Sequence, residues 1–491
     1  MQDALLAIFT TDFQREVVFF QGFLAAALTL FWLVAGWETL VEQISRSRLA
    51  LVWSIFCLIL GGTFTVGAGL DWGPEYLLVA VSYGLGIALA MIHPAIAVCL
   101  QTSLLFLRPW ELIDKNDYFG VLPKLTFSIC AGHAIWLVGK RRGNLPEWSR
   151  SSSLLFLFAC WAYITTFVAA NPVDSQFRFF EALFKSVLLY FMITNALKTK
   201  KDLELLVGSL IITFLGVGAV SIYQTRGISE ASAKIRLLGI GAFSNSNDIA
   251  ALMVMIFPFG FMAFMRKETS RAFKAIAALL MAVDLWCLVL SESRGAMLAL
   301  AMAMAVYVAL KIKNKYLTVA TVVLSLLAAP IFSKLSNRSA EDTAESSSSR
   351  LTYIKTGLNM AVRNPIFGVG YESYEENFER YATEILYEWG HRTAHNSWIL
   401  ALAETGFVGF GLFVALFVTA MRLAWRVFPW APEYFLGLMA YANAFTFLSH
   451  SYLIYPYLMY GLINVAGRIY IPVQAPSLGL GPALPELKES T

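Results

Sequence analysis

His395 opens a strongly apolar run, HNSWILALAETGFVGFGLF, after a long polar stretch, which places it where membrane meets water. An imidazole at that level titrates near neutral pH or serves as a neutral base. The plainer reading is an interfacial polar residue, with Asn396 or Ser397 satisfying the free amides of a first helical turn. Glu404 follows nine residues later, which at about 100° per residue turns it to the opposite side of a helix. It is therefore expected as a structural contact inside a bundle and not as a partner of His395, since an acid at that depth is costly unless paired. Gly406 and Gly409 are expected to let another helix approach closely.

The second group of candidates is cationic. Arg294 occupies the short connection SESRG between two apolar runs, Arg226 and Arg236 belong to YQTRGISEASAKIRLLG, Arg350 ends a serine run, and Arg392 stands three residues before His395. All fall on connections that the charge pattern assigns to the outer side, where arginine is disfavoured, so each calls for a reason. An anionic ligand is one, because guanidinium forks match a pyrophosphate. Pairing with the loops' own acids, Glu292 among them, is the other.

The elements that must hold these residues are membrane helices. Of the 491 residues, 58% are hydrophobic and 14% charged, and the apolar residues come in runs of roughly 17 to 22, the length that crosses a bilayer core. Candidate spans are 17–35, 49–66, 77–91, 93–107, 121–138, 152–170, 179–195, 203–222, 245–265, 273–290, 295–310, 316–332, 396–420, 433–450 and 454–471. About 12 to 15 of these cross, with 77–107 and the last pair open to being broken or re-entrant. The fold class is thus an all-α polytopic integral membrane protein with one large, partly helical extracytoplasmic loop. The N-terminus lacks a basic segment and a cleavage site and reads as a first helix.

Basic residues cluster at Arg46 and Arg48, Lys140 to Arg142, Lys198 to Lys201, Arg266 to Lys274, Lys311 to Lys315, and Arg422 and Arg426. These clusters fall on alternating connections, so they mark the cytoplasmic side, and 67–76, 108–119, 171–178, 223–244, 291–294 and 333–394 face outward. The organisation expected is 1–200 and 201–332 as two sets of transmembrane helices, 333–394 as the outward loop, 395–471 as the C-terminal helices and 472–491 as a cytoplasmic tail. The five cysteines lie within apolar spans and read as small core residues, with no CxxC pair.

In the outward loop, SNRSAEDTAESSSSR is low in apolar residues and reads as mobile. Ile354, Leu358 and Val362 are four apart and suit a short helix on the membrane surface, ended by Pro365 and the Gly368-Val-Gly370 turn. The stretch 371–389 aligns Tyr371, Tyr374, Phe378, Tyr381 and Ile385 on one helical face, as an amphipathic helix capping the membrane domain would. No phosphate-cradling glycine loop, dinucleotide fingerprint or Asp-x-Asp pair occurs, so an enzyme here takes its donor from the membrane and not from a nucleotide pool. The net charge of +4 marks no partner, and no nucleic acid is expected.

His395-Asn396, nine residues, Gly406, two residues and Gly409 follow the ligase signature of the bacterial O-antigen ligase and polymerase superfamily, which this sequence resembles. RLLGIGAFSNSNDIAALMVMIFP, LSESRGAMLAL and SRLTYIKTGLNMAVRNPIFGVGYESY precede that signature in the family's order, so the resemblance covers about residues 200–425. It implies transfer of a glycan from an undecaprenyl-pyrophosphate carrier on the periplasmic face of the bacterial inner membrane. His395 and Arg294 are implied as catalytic residues, with Arg236, Arg294 and Arg350 as candidates to hold the pyrophosphate.

No cofactor and no metal is implied, because the pyrophosphate is already a good leaving group and guanidinium can supply positive charge. The expected reaction is a metal-independent, inverting transfer to an acceptor hydroxyl. Ligation of O-antigen to lipid A-core comes first, with repeat-unit polymerisation of O-antigen or exopolysaccharide as the alternative, to which LRPWELI near 107–113 lends some weight. Transfer to a protein hydroxyl ranks lower. A transporter or flippase of lipid-linked glycan is the reading from another class, carried by the mid-membrane acids Asp284 and Glu404.

Overall fold

A computed structural model describes residues 11–36, 74–109, 124–130, 132–133, 147–229, 236–239, 245–312, 316, 340–382 and 393–471. In chain order the helices are α1 (Thr11–Ala35), α2 (Pro74–Ile92), α3 (Pro94–Leu107), α4 (Arg150–Thr165), α5 (Pro172–Phe179), α6 (Lys185–Ala196), α7 (Lys200–Ser229), α8 (Ser246–Met265), α9 (Arg271–Ser291), α10 (Arg294–Tyr307), α11 (Ala340–Arg363), α12 (Tyr374–Tyr381), α13 (Ser397–Val427), α14 (Pro432–Phe445) and α15 (Ile454–Tyr470). No strand occurs among the described residues. Among the described residues seven helices (α1, α4, α7, α8, α9, α10 and α13) are long and apolar enough to cross a membrane, and α2 and α3 are shorter apolar helices. The chain is an all-α polytopic membrane protein. The expected span 49–66 and nearly all of 316–332 lie outside the described residues, as do Arg392 and the tail 472–491.

Polar residues set the helix starts. The expected break within 77–107 falls at His93, whose ring accepts the Ala95 N–H ahead of a helix opened by Pro94. Ser149 and Ser152 cap α4 reciprocally, and Asn171 accepts from Asp174 ahead of Pro172. Helix α5 therefore begins within 171–178, which was expected as an outward loop, and runs through a π-turn at Phe180–Phe184 into α6. Helix α7 also extends past its expected end at 222, so Arg226 lies in its last turn and not in a loop. Once a helix is running, each added residue gains a hydrogen bond for little further cost, and polar residues beyond the bilayer are carried along.

Three expectations about the outward loop are corrected. The serine-rich segment is not irregular, because α11 begins at Ala340 and carries the serine run in its first half. The aromatic face expected over 371–389 is confined to α12: Tyr374, Phe378 and Tyr381 are buried on it, Tyr371 is buried in the turn before it, and Ile385 lies outside the described residues. Helix α11 buries Thr352, Tyr353, Thr356 and Met360, whereas Leu358 and Val362 of the expected stripe face outward with Leu351. Of the cysteines, Cys99, Cys130 and Cys287 are buried as expected, Cys160 is exposed on α4, and Cys57 lies outside the described residues.

Contacts between helix ends sort the molecule into two faces. At one, Arg266 donates to Glu433 over 2.6 Å, Lys311 donates to the Pro429 carbonyl over 2.7 Å, and Lys198 and Arg468 both meet Glu147. These residues stand at the starts of α4, α7 and α14 and the ends of α8, α10, α13 and α15. The opposite ends of the same helices carry Arg236, Arg294, His395 and the connection 446–453.

Candidate active site

Helix α13 does not run straight from its cap. Asn396 accepts the Trp398 and Ile399 N–H groups, both over 3.0 Å, as one of the two expected cap residues would. At Gly406 the backbone leaves the helix, with φ 67° and ψ −174°, a conformation open to glycine alone. The turn after α11 fills the gap: Phe407 N–H donates to the Pro365 carbonyl, and Val369 and Gly370 N–H donate to the carbonyls of Ala403 and Glu404. A Cβ on Gly406 would run into the Ile366 carbonyl. Gly406 is thus a break that docks the outward loop, a correction to its expected role in helix packing. Gly409 keeps that role, facing the Trp161 ring of α4. Glu404 is buried and its Oε1 accepts the Tyr374 N–H over 3.0 Å, so the acid fastens α12 to α13 as a structural contact.

His395 is half-buried with φ 46°, one of four non-glycine residues with positive φ among the described residues. Such a conformation costs of order 1–3 kcal/mol and persists where its surroundings impose it. Tyr353 of α11 packs its ring 5.7 Å from the imidazole, and Arg350 lies one helical turn before Tyr353. On either side of His395, Thr393 donates to Ser449 over 3.0 Å and Ser397 donates to the Leu448 carbonyl over 2.6 Å.

Arg236 and Arg294 meet at one turn. The Arg236 guanidinium donates to the Ser291 carbonyl at the end of α9, over 2.6 Å from Nη2 and 3.1 Å from Nε, and to Asn247 over 3.2 Å. Its backbone is held by Leu237 N–H to the Leu290 carbonyl and Leu238 N–H to Thr225. Arg294, three residues beyond Ser291, is the first residue of α10 and half-buried. The adjoining Gly295 lies against Phe447, where an added Cβ would sit 3.4 Å from the ring.

The connection 446–453 joins these parts. Phe447 lies by Gly295, Ser449 by Thr393, and Leu448, His450 and Ser451 all bond Ser397. His450 also reaches Asp248, next to the Asn247 that Arg236 bonds. One eight-residue segment is thus touched by Asp248, Gly295, Thr393 and Ser397, close in sequence to Arg236's partner Asn247, to Arg294 and to His395, and Arg350 lies a turn from the Tyr353 that packs on His395. Arg226, in the last turn of α7, is exposed. The candidate span 433–450, which was open to being broken, is broken: α14 stops at Phe445, and 446–450 is the stretch that Asp248, Gly295, Thr393 and Ser397 touch.

Sequence reading missed Asp248, His450, Tyr441 and Arg108. His450 ends an apolar run and Asp248 lies 202 residues away, so no spacing connects them. Arg108 has φ 44° at the end of α3, two residues beyond Phe106, whose ring packs 6.0 Å from Tyr455, itself 5.3 Å from His450. Its positive charge in the segment LRPWELI was the available signal.

Residues 276–414 match the family model described as O-antigen ligase. Residues 75–225 match a family of unknown function (DUF5935). No curated protein matches the chain. The first match contains Arg294, Arg350, His395, Gly406 and Gly409 and supports the resemblance of this part of the chain to the O-antigen ligase and polymerase superfamily. Lipid-linked glycan transfer, by a glycosyltransferase-like membrane enzyme, is the activity that this family supports.

Proposed function

We propose that the protein transfers a glycan from a polyprenyl-pyrophosphate carrier to an acceptor hydroxyl on the outer face of the inner membrane. The observation that supports this reading is that Gly295, Thr393 and Ser397, neighbours of Arg294 and His395 in the chain, and Asp248, next to Arg236's partner Asn247, all meet the segment 446–453. Positive charge fixed beside the donor's pyrophosphate stabilises the negative charge that builds on it as it departs, and preorganised groups of this kind lower a barrier more than any other single device. His395 aids deprotonation of the acceptor hydroxyl as that oxygen attacks the anomeric carbon; the carbon–pyrophosphate bond breaks and configuration inverts. Arg236 and Arg294 hold the pyrophosphate, with Arg350 approaching from α11. Guanidinium supplies the charge, so transfer by the purified protein is expected to persist in a chelator; its abolition would overturn the metal-independent scheme.

Ligation to lipid A-core is the reading favoured by the His395, Gly406 and Gly409 spacing, and repeat-unit polymerisation is the rival. A deletion strain separates them. Loss of long glycan from lipid A, with lipid-linked polymer accumulating, is expected of a ligase; products limited to single repeats would make the protein a polymerase.

A further inference from the structure

Asp248, His450 and Tyr441 form a polar cluster that the transfer scheme does not use. His450 Nε2 lies 2.9 Å from Asp248 Oδ1 and Nδ1 lies 3.0 Å from the Tyr441 hydroxyl. With Nε2–H directed at the carboxylate, Nδ1 accepts the Tyr441 O–H, so both ring nitrogens are engaged. The His450 N–H donates to Ser397 Oγ over 2.9 Å, and the Tyr455 ring packs 5.3 Å from the imidazole. The His450 side chain is only 3% exposed, whereas Asp248 keeps 19%. The chain Tyr441, His450, Asp248 therefore ends in a carboxylate that is fixed from behind and open in front.

Asp248 follows Asn247, which Arg236 bonds, in the first turn of α8. A carboxylate one residue from a pyrophosphate cradle repels the anion unless its edge meets a donor. A sugar hydroxyl is such a donor, and a charge-assisted bond to a carboxylate is among the stronger hydrogen bonds available. We propose that Asp248 binds a hydroxyl of the donor sugar attached to the pyrophosphate, and that His450 is the positioning residue that holds it. This rests on the donor reading above and adds a residue that recognises the glycan apart from its carrier.

The test is a pair of binding titrations on the full-length protein in detergent. One ligand is lipid-linked oligosaccharide isolated from cells lacking the protein, the other bare undecaprenyl pyrophosphate. Asp248→Ala is expected to weaken binding of the glycan-bearing carrier about tenfold, as loss of one charged hydrogen bond does, and to leave the bare carrier within about twofold. His450→Phe should show the same selective loss, and His450→Gln, whose amide can still donate to the carboxylate, should recover most of it. Should Asp248→Ala not fold, Asp248→Asn carries the test with a smaller selective loss. Equal weakening toward both ligands would make the cluster structural, and no weakening toward either would leave Asp248 without a role in binding; each overturns the inference. Wild-type protein that binds neither ligand would overturn the donor reading as well, whereas binding of both without discrimination by Asp248 would overturn this inference alone.

Discussion

His395 is held in a left-handed backbone conformation between two side chains, Thr393 and Ser397, that are both bonded to 446–453. The imidazole is thus placed by its neighbours on the chain as well as by the Tyr353 ring. If it acts as a base, His395→Ala lowers the transfer rate by about 10²- to 10⁴-fold while thermal unfolding stays near that of the wild type. A similar activity from the two proteins in a single-turnover assay would contradict that role. For Arg294 the informative change is to lysine, which keeps the charge and loses the planar fork. Arg294→Lys is expected to lose most of the transfer activity, and retention of full activity would show that only charge matters there. The residue types and the His395 to Gly409 spacing were legible in the sequence because they are local. Asp248 and His450 were not, because their pairing depends on where α8 and the end of α14 come together, which no spacing encodes.

At the scale of elements, hydropathy located most helices but did not give the residue at which α13 bends or α14 stops. Apolar length reports how far a segment can extend through lipid, and it is blind to a single residue whose backbone leaves the helix. Gly406 and the end of α14 at Phe445 are the two cases that shape the site. Helix α11 shows the converse: a serine-rich start looks unstructured by composition, yet it is continuous with a face buried through Thr352, Tyr353 and Met360. Gly406→Ala would force a side chain into the docked turn and is expected to cost about 3 kcal/mol or more. Gly409→Ala would press on the buried Thr405 side chain and the Trp161 ring and is destabilising too, but its backbone is helical and only side chains must yield, so it should cost less. Thermal unfolding of the two variants in detergent checks the order. Asn396→Ala removes the cap of α13 and should cost about 1 kcal/mol.

The whole molecule separates two kinds of polar work onto two ends. At the basic end, acids and cations pair and fasten helix termini; Glu147 meets Lys198 and Arg468 there. Burial pushes the Glu147 carboxyl up, but Lys198 and Arg468 together hold it below its ordinary value of 4.5. A carboxyl lowered in the folded state stabilises the fold above its unfolded value and ceases to do so as the pH falls through the folded one. The difference in unfolding temperature between wild type and Glu147→Gln is therefore expected near pH 7 and should close as the pH falls below the ordinary carboxylate range. An unchanged difference at acid pH would mean the residue acts through packing. At the other end, chain neighbours of Arg294, of His395 and of Arg236's partner Asn247 meet 446–453, and the turn after α11 docks on α13. The alternation of basic clusters made that division legible before any contact was known, since it depends only on which connections carry Lys and Arg. The central claim is that this end is a site for transfer from a lipid-linked donor. It is tested most directly by supplying the purified protein with lipid-linked oligosaccharide and lipid A-core and measuring the joined product. The account predicts product with the wild-type protein and almost none with folded His395→Ala or Arg294→Ala, whereas full activity in either variant would contradict it.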